Sequence, residues 1–247
     1  MARKPLEPVS IAPLRGPHGL WIDGATLWFT AGGSDAIAAL DLATGRISTV
    51  LGTGQDNTHM LWVARDGQRM AASNAGSGTM SLWERDTLSA ARHGATSGWR
   101  HTLVPVRIGA EGFAVSPGEQ RLWAGNQDGT ITVIDVAQAR VLDTFDAGVV
   151  GANRMKFTLD GKRVLVTTHA GKDLVVIDAA THAVVKRIPI EERGASGIQI
   201  APDGKRAFIA CPRDHLVAVV DLERLERVTT IDAGREPDGM AWWQSGE

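Results

Sequence analysis

The sequence predicts an all-β protein made of repeated four-stranded antiparallel sheets. Short apolar runs are separated by turn sequences such as Pro-Asp-Gly and Asn-Gln-Asp-Gly, which is typical of short strands joined by tight turns. A turn glycine also precedes an acidic residue by 17 positions in five places, which indicates an internal repeat. The five pairs are Gly24 and Asp41, Gly67 and Glu84, Gly118 and Asp135, Gly161 and Asp178, and Gly204 and Asp221.

One repeat can be followed strand by strand between residues 196 and 233. Its inner runs are almost wholly apolar, which predicts strands covered on both faces. In its last run apolar and polar residues alternate, as in a half-exposed outer strand. The last three acidic residues of the pattern are 43 positions apart. Units of this length usually bury two apolar faces by packing radially around an axis, so the sequence predicts a β-propeller.

The repeats predict a single propeller domain over residues 1–247. The terminal segments 8–14 and 237–243 have the pattern of an outermost and an innermost strand, so we expect them to share an incomplete sixth blade. Trp242 and Trp243 are expected to anchor its closing strand. The five complete blades are predicted at about 18–56, 57–108, 109–150, 151–193 and 194–236.

The second repeat carries an insertion at residues 86–102, rich in Ser, Ala, Gly, Arg and His. We expect it to be a surface excursion, because longer loops are where specificity is often added. Trp99 within it hints at a contact surface for a partner.

Composition excludes several classes. A net charge of −2 argues against a general nucleic-acid binder, and one cysteine, Cys211, allows neither an internal disulfide nor a thiolate zinc cluster. No apolar run approaches the roughly 18–20 residues that span a bilayer. The first eight residues lack a signal segment, so we expect a cytoplasmic protein, or a periplasmic or secreted one if an export signal was removed.

Two motifs give the chain a family likeness. Val175–Thr181 and Pro202–Ala210 resemble the bacterial YVTN-repeat β-propellers. Gly16–Leu20, followed by Leu27–Thr30, is similar to the repeat of virginiamycin B lyase-type propellers. The second resemblance implies that His18, in its Pro-His-Gly motif, is catalytic with a metal ion nearby.

Aligned repeats place a polar residue at the start of every innermost strand, where strands surround the mouth of a propeller channel. Imidazole and carboxylate groups together can ligate one divalent cation, and His59, Glu111 and Asp238 are the candidate ligands. Alternatively, His18 or His59 could act as a general base, with Arg154 steadying a developing anion. The six aligned residues are His18, His59, Glu111, Asn153, Ser196 and Asp238.

The function predicted is a binding scaffold whose polar axial site, including Asn153, Ser196 and Asp238, takes a small ligand or a divalent metal. Outer loops are a surface for a protein partner, and the incomplete blade is a surface for a second copy of the chain. The alternative is a metal-assisted lyase or lactone-type hydrolase acting in the channel.

Other polar residues are expected to be structural. The repeated aspartates should cap backbone N–H groups in turns, because a feature present in most repeats is rarely a unique site. Cys211 should lie in the core. His169, His182 and His215, at strand edges or turns, are expected to be solvated.

Overall fold

The computed structural model describes residues 7–86, 98–169, 171–190 and 194–242. These residues form twenty strands in five antiparallel sheets of four, together with short 3-10 turns at Gly32–Ser34 and Pro212–Asp214. In every sheet, strands that follow one another along the chain are hydrogen-bonded neighbours. The five sheets confirm the all-β class and the prediction of five four-stranded blades.

Each blade is a meander whose strands are three to seven residues long. Blade 1 comprises β1 (Pro17–Asp23), β2 (Thr26–Ala31), β3 (Ala36–Asp41) and β4 (Arg46–Gly52). Blade 2 comprises β5 (Thr58–Val63), β6 (Arg69–Asn74), β7 (Thr79–Arg85) and β8 (Trp99–Pro105). Blade 3 comprises β9 (Phe113–Val115), β10 (Arg121–Gly125), β11 (Thr130–Asp135) and β12 (Arg140–Asp146). Blade 4 comprises β13 (Ala152–Phe157), β14 (Arg163–Thr168), β15 (Asp173–Asp178) and β16 (Val184–Pro189), and blade 5 comprises β17 (Ile198–Ile200), β18 (Arg206–Cys211), β19 (Leu216–Asp221) and β20 (Glu226–Asp232).

The chain divides into two compact units, residues 1–77 with 81–102 and residues 78–80 with 103–247. In the first unit, Trp28 and Ile37 of blade 1 pack with Met70 and Trp83 of blade 2. In the second unit, one core lies between blades 3 and 4, and another lies between blades 4 and 5 and includes Cys211, as predicted. Apolar inner strands therefore supply the buried faces, while the outermost strand β20 is exposed along its length.

The terminal segments cover blade faces without forming strands. Ile11 and Leu14 pack against a buried cluster of blade 1 that includes Phe29, and the Trp242 ring lies 5.8 Å from the Phe208 ring of blade 5. Neither 8–14 nor 237–242 is paired as a strand, and Trp243 lies outside the described residues. The sixth blade shared by the two ends, and a second copy bound there, stay predictions.

The predicted insertion at 86–102 is shorter than expected, because residues 99–102 belong to strand β8. Trp99 is therefore not a loop residue: its ring packs edge-on to Trp28, and the Arg85 guanidinium lies 4.0 Å from its centroid. His101 of the same strand stacks on Trp83. Apolar and aromatic contacts with the blade extend the strand into the insertion, whose residues 87–97 lie outside the described ranges.

The repeated aspartates act as predicted in the turns that follow the third strands. One carboxylate oxygen of Asp178 accepts hydrogen bonds from the backbone N–H groups of Ala180 and Thr181, at 3.0 and 2.8 Å. These bonds, with one from the Thr181 hydroxyl, lower the pKa of Asp178. Asp41 and Asp221 make the same kind of turn. No helix in the described chain is long and apolar enough to cross a membrane.

Candidate functional site

Three of the six predicted site residues lie in β-bulges of innermost strands. In each case two residues on the innermost strand lie opposite one residue of the next strand, between regular pairs on either side. Bulges redirect side chains and are enriched beside functional sites. The bulged pairs and the residues opposite them are His18 and Gly19 with Thr30, His59 and Met60 with Ser73, and Asn153 and Arg154 with Thr167.

The residue opposite each bulge carries a hydroxyl group that fixes the site backbone. Thr30 Oγ1 accepts a hydrogen bond from the Gly19 N–H at 2.8 Å and donates to the His59 carbonyl at 2.7 Å. Thr167 Oγ1, in blade 4, donates to the Ser196 carbonyl at 2.8 Å. Both hydroxyl groups bind a backbone carbonyl of a site residue in the next blade, so they position the site without using its side chains.

Glycines next to the site positions let the start of an innermost strand lie close to the following blade or, for Gly197, to the C-terminal segment. A Cβ atom added to Gly112 would lie 2.2 Å from the Asn153 carbonyl oxygen, and one added to Gly197 would lie 2.1 Å from that of Asp238. In the first unit, a Cβ on Gly19 would lie 2.8 Å from the His59 carbonyl oxygen. The residue after His18, Glu111 or Ser196 must therefore be glycine, because the neighbouring backbone comes too close for a Cβ atom.

In the first unit, His18 and His59 form a stacked pair. Their ring centroids are 3.9 Å apart, with an angle of 26° between the ring planes. The structure thus brings together the two imidazoles that the repeat alignment placed at equivalent positions. An imidazole accepts and releases protons near neutral pH, so this pair has the chemistry of a general base.

In the second unit, Asn153, Arg154, Ser196 and Asp238 form a connected polar cluster. Asn153 is buried, and its amide nitrogen lies 3.4 Å from Ser196 Oγ, which in turn donates to the Asp238 carboxylate. The Arg154 guanidinium donates to the Asn153 carbonyl at 3.1 Å and lies 3.9 Å from Asp238 Oδ1. The Arg154 side chain is only 13% exposed, whereas that of Asp238 is 49% exposed.

Burial lowers the pKa of Arg154, and the carboxylates of Asp238 and Glu111 oppose that effect. Arginine stays protonated throughout the range in which proteins fold, so the site holds a fixed positive charge with little water around it. A positive charge in such a setting interacts more strongly with an anion than it would in bulk solvent.

Glu111 lies outside the strands, two residues before the short strand β9, and so does not open an innermost strand as predicted. Ser196, two residues before β17, and Asp238, in the unpaired C-terminal segment, do not open one either. The strand pairing of blade 3 is also shifted by one residue relative to the repeat alignment. Ala114 lies opposite Trp123 in blade 3, and the corresponding pair in blade 4 is Met155 opposite Val166. Glu111 Oε2 lies 2.9 Å from Nε2 of His169. The His169 side chain is 53% exposed, in keeping with the expectation that it is solvated, and its contact with Glu111 adds it to this neighbourhood.

His182 and His215 also have partners within the protein. The His182 ring stacks on Phe145 with centroids 4.2 Å apart and lies 3.2 Å from Asp143. His215 Nδ1 accepts a hydrogen bond from the Glu236 N–H at 3.2 Å. Their backbone φ values of 62° and 60° place both in left-handed turns, which their neighbours in sequence do not indicate.

The predicted metal ligands are distributed over both units: His59 belongs to the first, and Glu111 and Asp238 belong to the second. Within the described ranges, no group of three or more His, Cys, Asp or Glu side chains is arranged to hold a metal ion. A metal held by these three residues stays a prediction.

The sequence analysis did not identify two kinds of site residue. The hydroxyl residues Thr30 and Thr167 carry a visible signal, because each is a polar residue inside an apolar second strand at equivalent repeat positions. Lys156, two residues after Arg154 on β13, also escaped it. Lys156 is exposed on β13, although the protein around it lowers its pKa by partly desolvating the ammonium group.

Comparison with solved structures shows a widespread fold. A chain titled Kuenenia stuttgartiensis Hydrazine Synthase is similar with a TM-score of 0.63 and 15% sequence identity, over 92% of this chain and 90% of that one. Matches extend to 1597 chains, so the fold alone names no activity. No curated protein matches the sequence.

A family model described as YNCE-like beta-propeller matches residues 8–195, which include blades 1 to 4. This match agrees with the resemblance of the repeats to YVTN-type propellers. The resemblance of the motif around His18 to virginiamycin B lyase-type propellers stays an expectation. Five four-stranded meanders and a match over most of its length show that the chain belongs to the YNCE-like β-propeller family.

Proposed function

We propose that the protein binds a small polar molecule at the cluster formed by Asn153, Arg154, Ser196 and Asp238. One observation carries this proposal: Arg154 breaks the repeat. The equivalent bulge or turn position holds Gly19 in blade 1, Met60 in blade 2 and Gly197 in blade 5. A large charged side chain at one of these positions, and largely buried there, is better explained by a ligand than by the needs of the fold.

The chemistry of the cluster suits recognition of a polar organic molecule. Arg154 supplies N–H donors, the Asp238 carboxylate accepts, and Asn153 can do both. Asn153 and Ser196 are buried and joined through hydrogen bonds, so their positions are fixed before a ligand arrives. A site whose polar groups are already ordered loses little entropy on binding, which favours affinity.

The test is a thermal-shift screen of the wild type and Arg154→Met with succinate, inorganic phosphate, glucose, glycine and spermidine as probes. We expect at least one probe to raise the melting temperature of the wild type by about 5–10 °C at 100 times its Kd. The same probe should leave Arg154→Met unchanged, because its aliphatic stem remains but its donors are lost.

Arg140→Met is the matched control, since Arg140 is exposed on outer strand β12 of the same unit. It should respond to the probe like the wild type. A probe that shifts wild type and Arg154→Met equally would contradict the proposal, as would a screen in which no probe shifts the wild type.

A second candidate is a metal-assisted lyase or hydrolase, which the stacking of His18 on His59 favours. One imidazole would take the proton from a substrate carbon or from water, and its neighbour would hold the ring in place. Thr30 supports this reading because it fixes the backbone on both sides of the pair, at Gly19 and at His59.

Elemental analysis of protein purified without chelator or affinity nickel tests the metal-dependent enzyme. If His59 is a ligand, we expect one divalent ion per chain in the wild type and a loss of at least tenfold in His59→Ala, because one missing ligand removes several kcal/mol of affinity. His101→Ala, which changes a histidine of outer strand β8, is the control and should keep its metal. Metal-free wild type would exclude this mechanism.

A further inference from the structure

We propose that the ligand is an organic anion whose carboxylate or phosphate group binds between Lys156 and Arg154. This inference rests on the proposed binding function and names the class of molecule that the site selects. It adds Lys156, which no motif indicates, to the ligand-binding residues.

Both side chains emerge from the same side of β13. Residues two apart on a strand point the same way and lie about 7 Å apart at the backbone. Met155 and Phe157 alternate with them and belong to the core between blades 3 and 4, so Arg154 and Lys156 emerge on the opposite side. Their long side chains can therefore converge on one anionic group.

The pairing pattern agrees with this placement. Arg154 lies opposite Thr167, and Lys156 lies opposite Leu165, which belongs to the core between blades 4 and 5. Thr167 is the residue whose hydroxyl holds the Ser196 carbonyl. The two basic residues thus share a face with the residue that positions Ser196.

No other repeat has a basic residue at either position. Where blade 4 has Lys156, blades 1, 2 and 5 have Trp21, Trp62 and Gln199. A basic residue at both positions of a single strand is therefore a local departure from the repeat.

The two cations differ in their partners. Arg154 lies near the carboxylates of Asp238 and Glu111, which balance its charge. The Lys156 side chain is exposed, and it forms no ion pair with any residue that the structure describes. An ammonium group without a counter-charge can bind an anion, and Arg154, two residues earlier on the same face of β13, can supply directional N–H donors to the same oxygen atoms.

Titration calorimetry at an ionic strength of about 0.01 M, where charge pairs are least screened, tests this inference. Succinate and inorganic phosphate are the two probes, so the experiment also separates a carboxylate ligand from a phosphate ligand. We expect the wild type to bind one of them and Lys156→Gln to bind it at least tenfold more weakly, since a lost charge-assisted hydrogen bond has about that effect.

Two further variants serve as controls. Lys156→Arg keeps the charge and should restore binding to within a few-fold of the wild type, and this variant guards against a simple folding defect. Lys172→Gln removes an exposed lysine of the same unit and should bind like the wild type.

Equal affinities of wild type and Lys156→Gln would overturn the inference, as would a wild type that binds neither probe up to about 10 mM. These failures remain distinct from failure of the proposed function. If glucose, glycine or spermidine stabilises the wild type but not Arg154→Met, the binding site stands and its anionic ligand does not.

Discussion

Gly112→Ala is expected to destabilise the protein by about 3 kcal/mol, the upper part of the range for overpacking, and to lower its melting temperature by about 6–12 °C. The added Cβ would lie 2.2 Å from the Asn153 carbonyl oxygen and 2.9 Å from the Arg154 Cα. Both contacts are with backbone atoms, so no side-chain rotation relieves them and the strands must separate. Thermal unfolding followed by circular dichroism measures the loss.

Gly118→Ala is the control for this prediction. Gly118 lies in a turn of the same blade, and a Cβ placed there meets no atom within 4 Å. We expect a change within about 0.5 kcal/mol, typical of an unconstrained surface position. Equal melting temperatures for the two variants would mean that blades 3 and 4 can separate freely at Gly112.

Trp123→Ala is expected to lower stability by about 3–5 kcal/mol, because it removes the largest side chain of the core between blades 3 and 4. Trp123 is 2% exposed, and its ring lies edge-on to Phe145 and Phe157 at 5.3 and 5.6 Å. The His182 ring also contacts it, at 5.1 Å. Urea unfolding should show a lower midpoint, with the native signal still present in water if the remaining core suffices.

Trp242→Ala gives the comparison at an exposed tryptophan of the same unit. Trp242 is 46% exposed and contacts Phe208, so we expect a loss below about 1 kcal/mol. A loss equal to that of Trp123→Ala would show that the C-terminal segment contributes as much to stability as the core between blades.

The sequence was sufficient to predict the repeats because their causes are local. A turn glycine and an acidic residue 17 positions later, as in Gly161 and Asp178, fix where each hairpin and each later turn occur. Apolar inner strands then leave few ways to bury two faces per sheet. The role of Asp178 as a turn cap follows from the same reasoning, since its hydrogen bonds reach only two and three residues ahead.

The candidate site was predicted only in part. The sequence places His18 and His59 at equivalent positions, but their stacking and the bulges that hold them depend on pairing between strands, which residue types do not reveal. His169 meets Glu111 across 58 positions of sequence. Such a contact depends on how blades 3 and 4 pack, so neither residue's neighbours in sequence could indicate it.

At Trp99 the sequence analysis predicted a loop where the structure has a strand. Ser, Gly and Arg around it favour a loop, and composition alone gives no reason to end that loop before residue 103. Contacts of the Trp99 ring with the Arg85 guanidinium and, edge-on, with Trp28 stabilise these residues as part of β8. Tertiary contacts outweighed local preference there.

The hydroxyl groups of Thr30 and Thr167 bind the backbone carbonyl of the residue that they position, and the side chain of that residue takes no part in the bond. At His59 and Ser196, a change of side chain can therefore alter what the site recognises without altering the fold. A family built in this way can change what it recognises one blade at a time, by exchanging a single side chain while the scaffold persists. The same property makes these two positions natural choices for engineering new specificities into the chain.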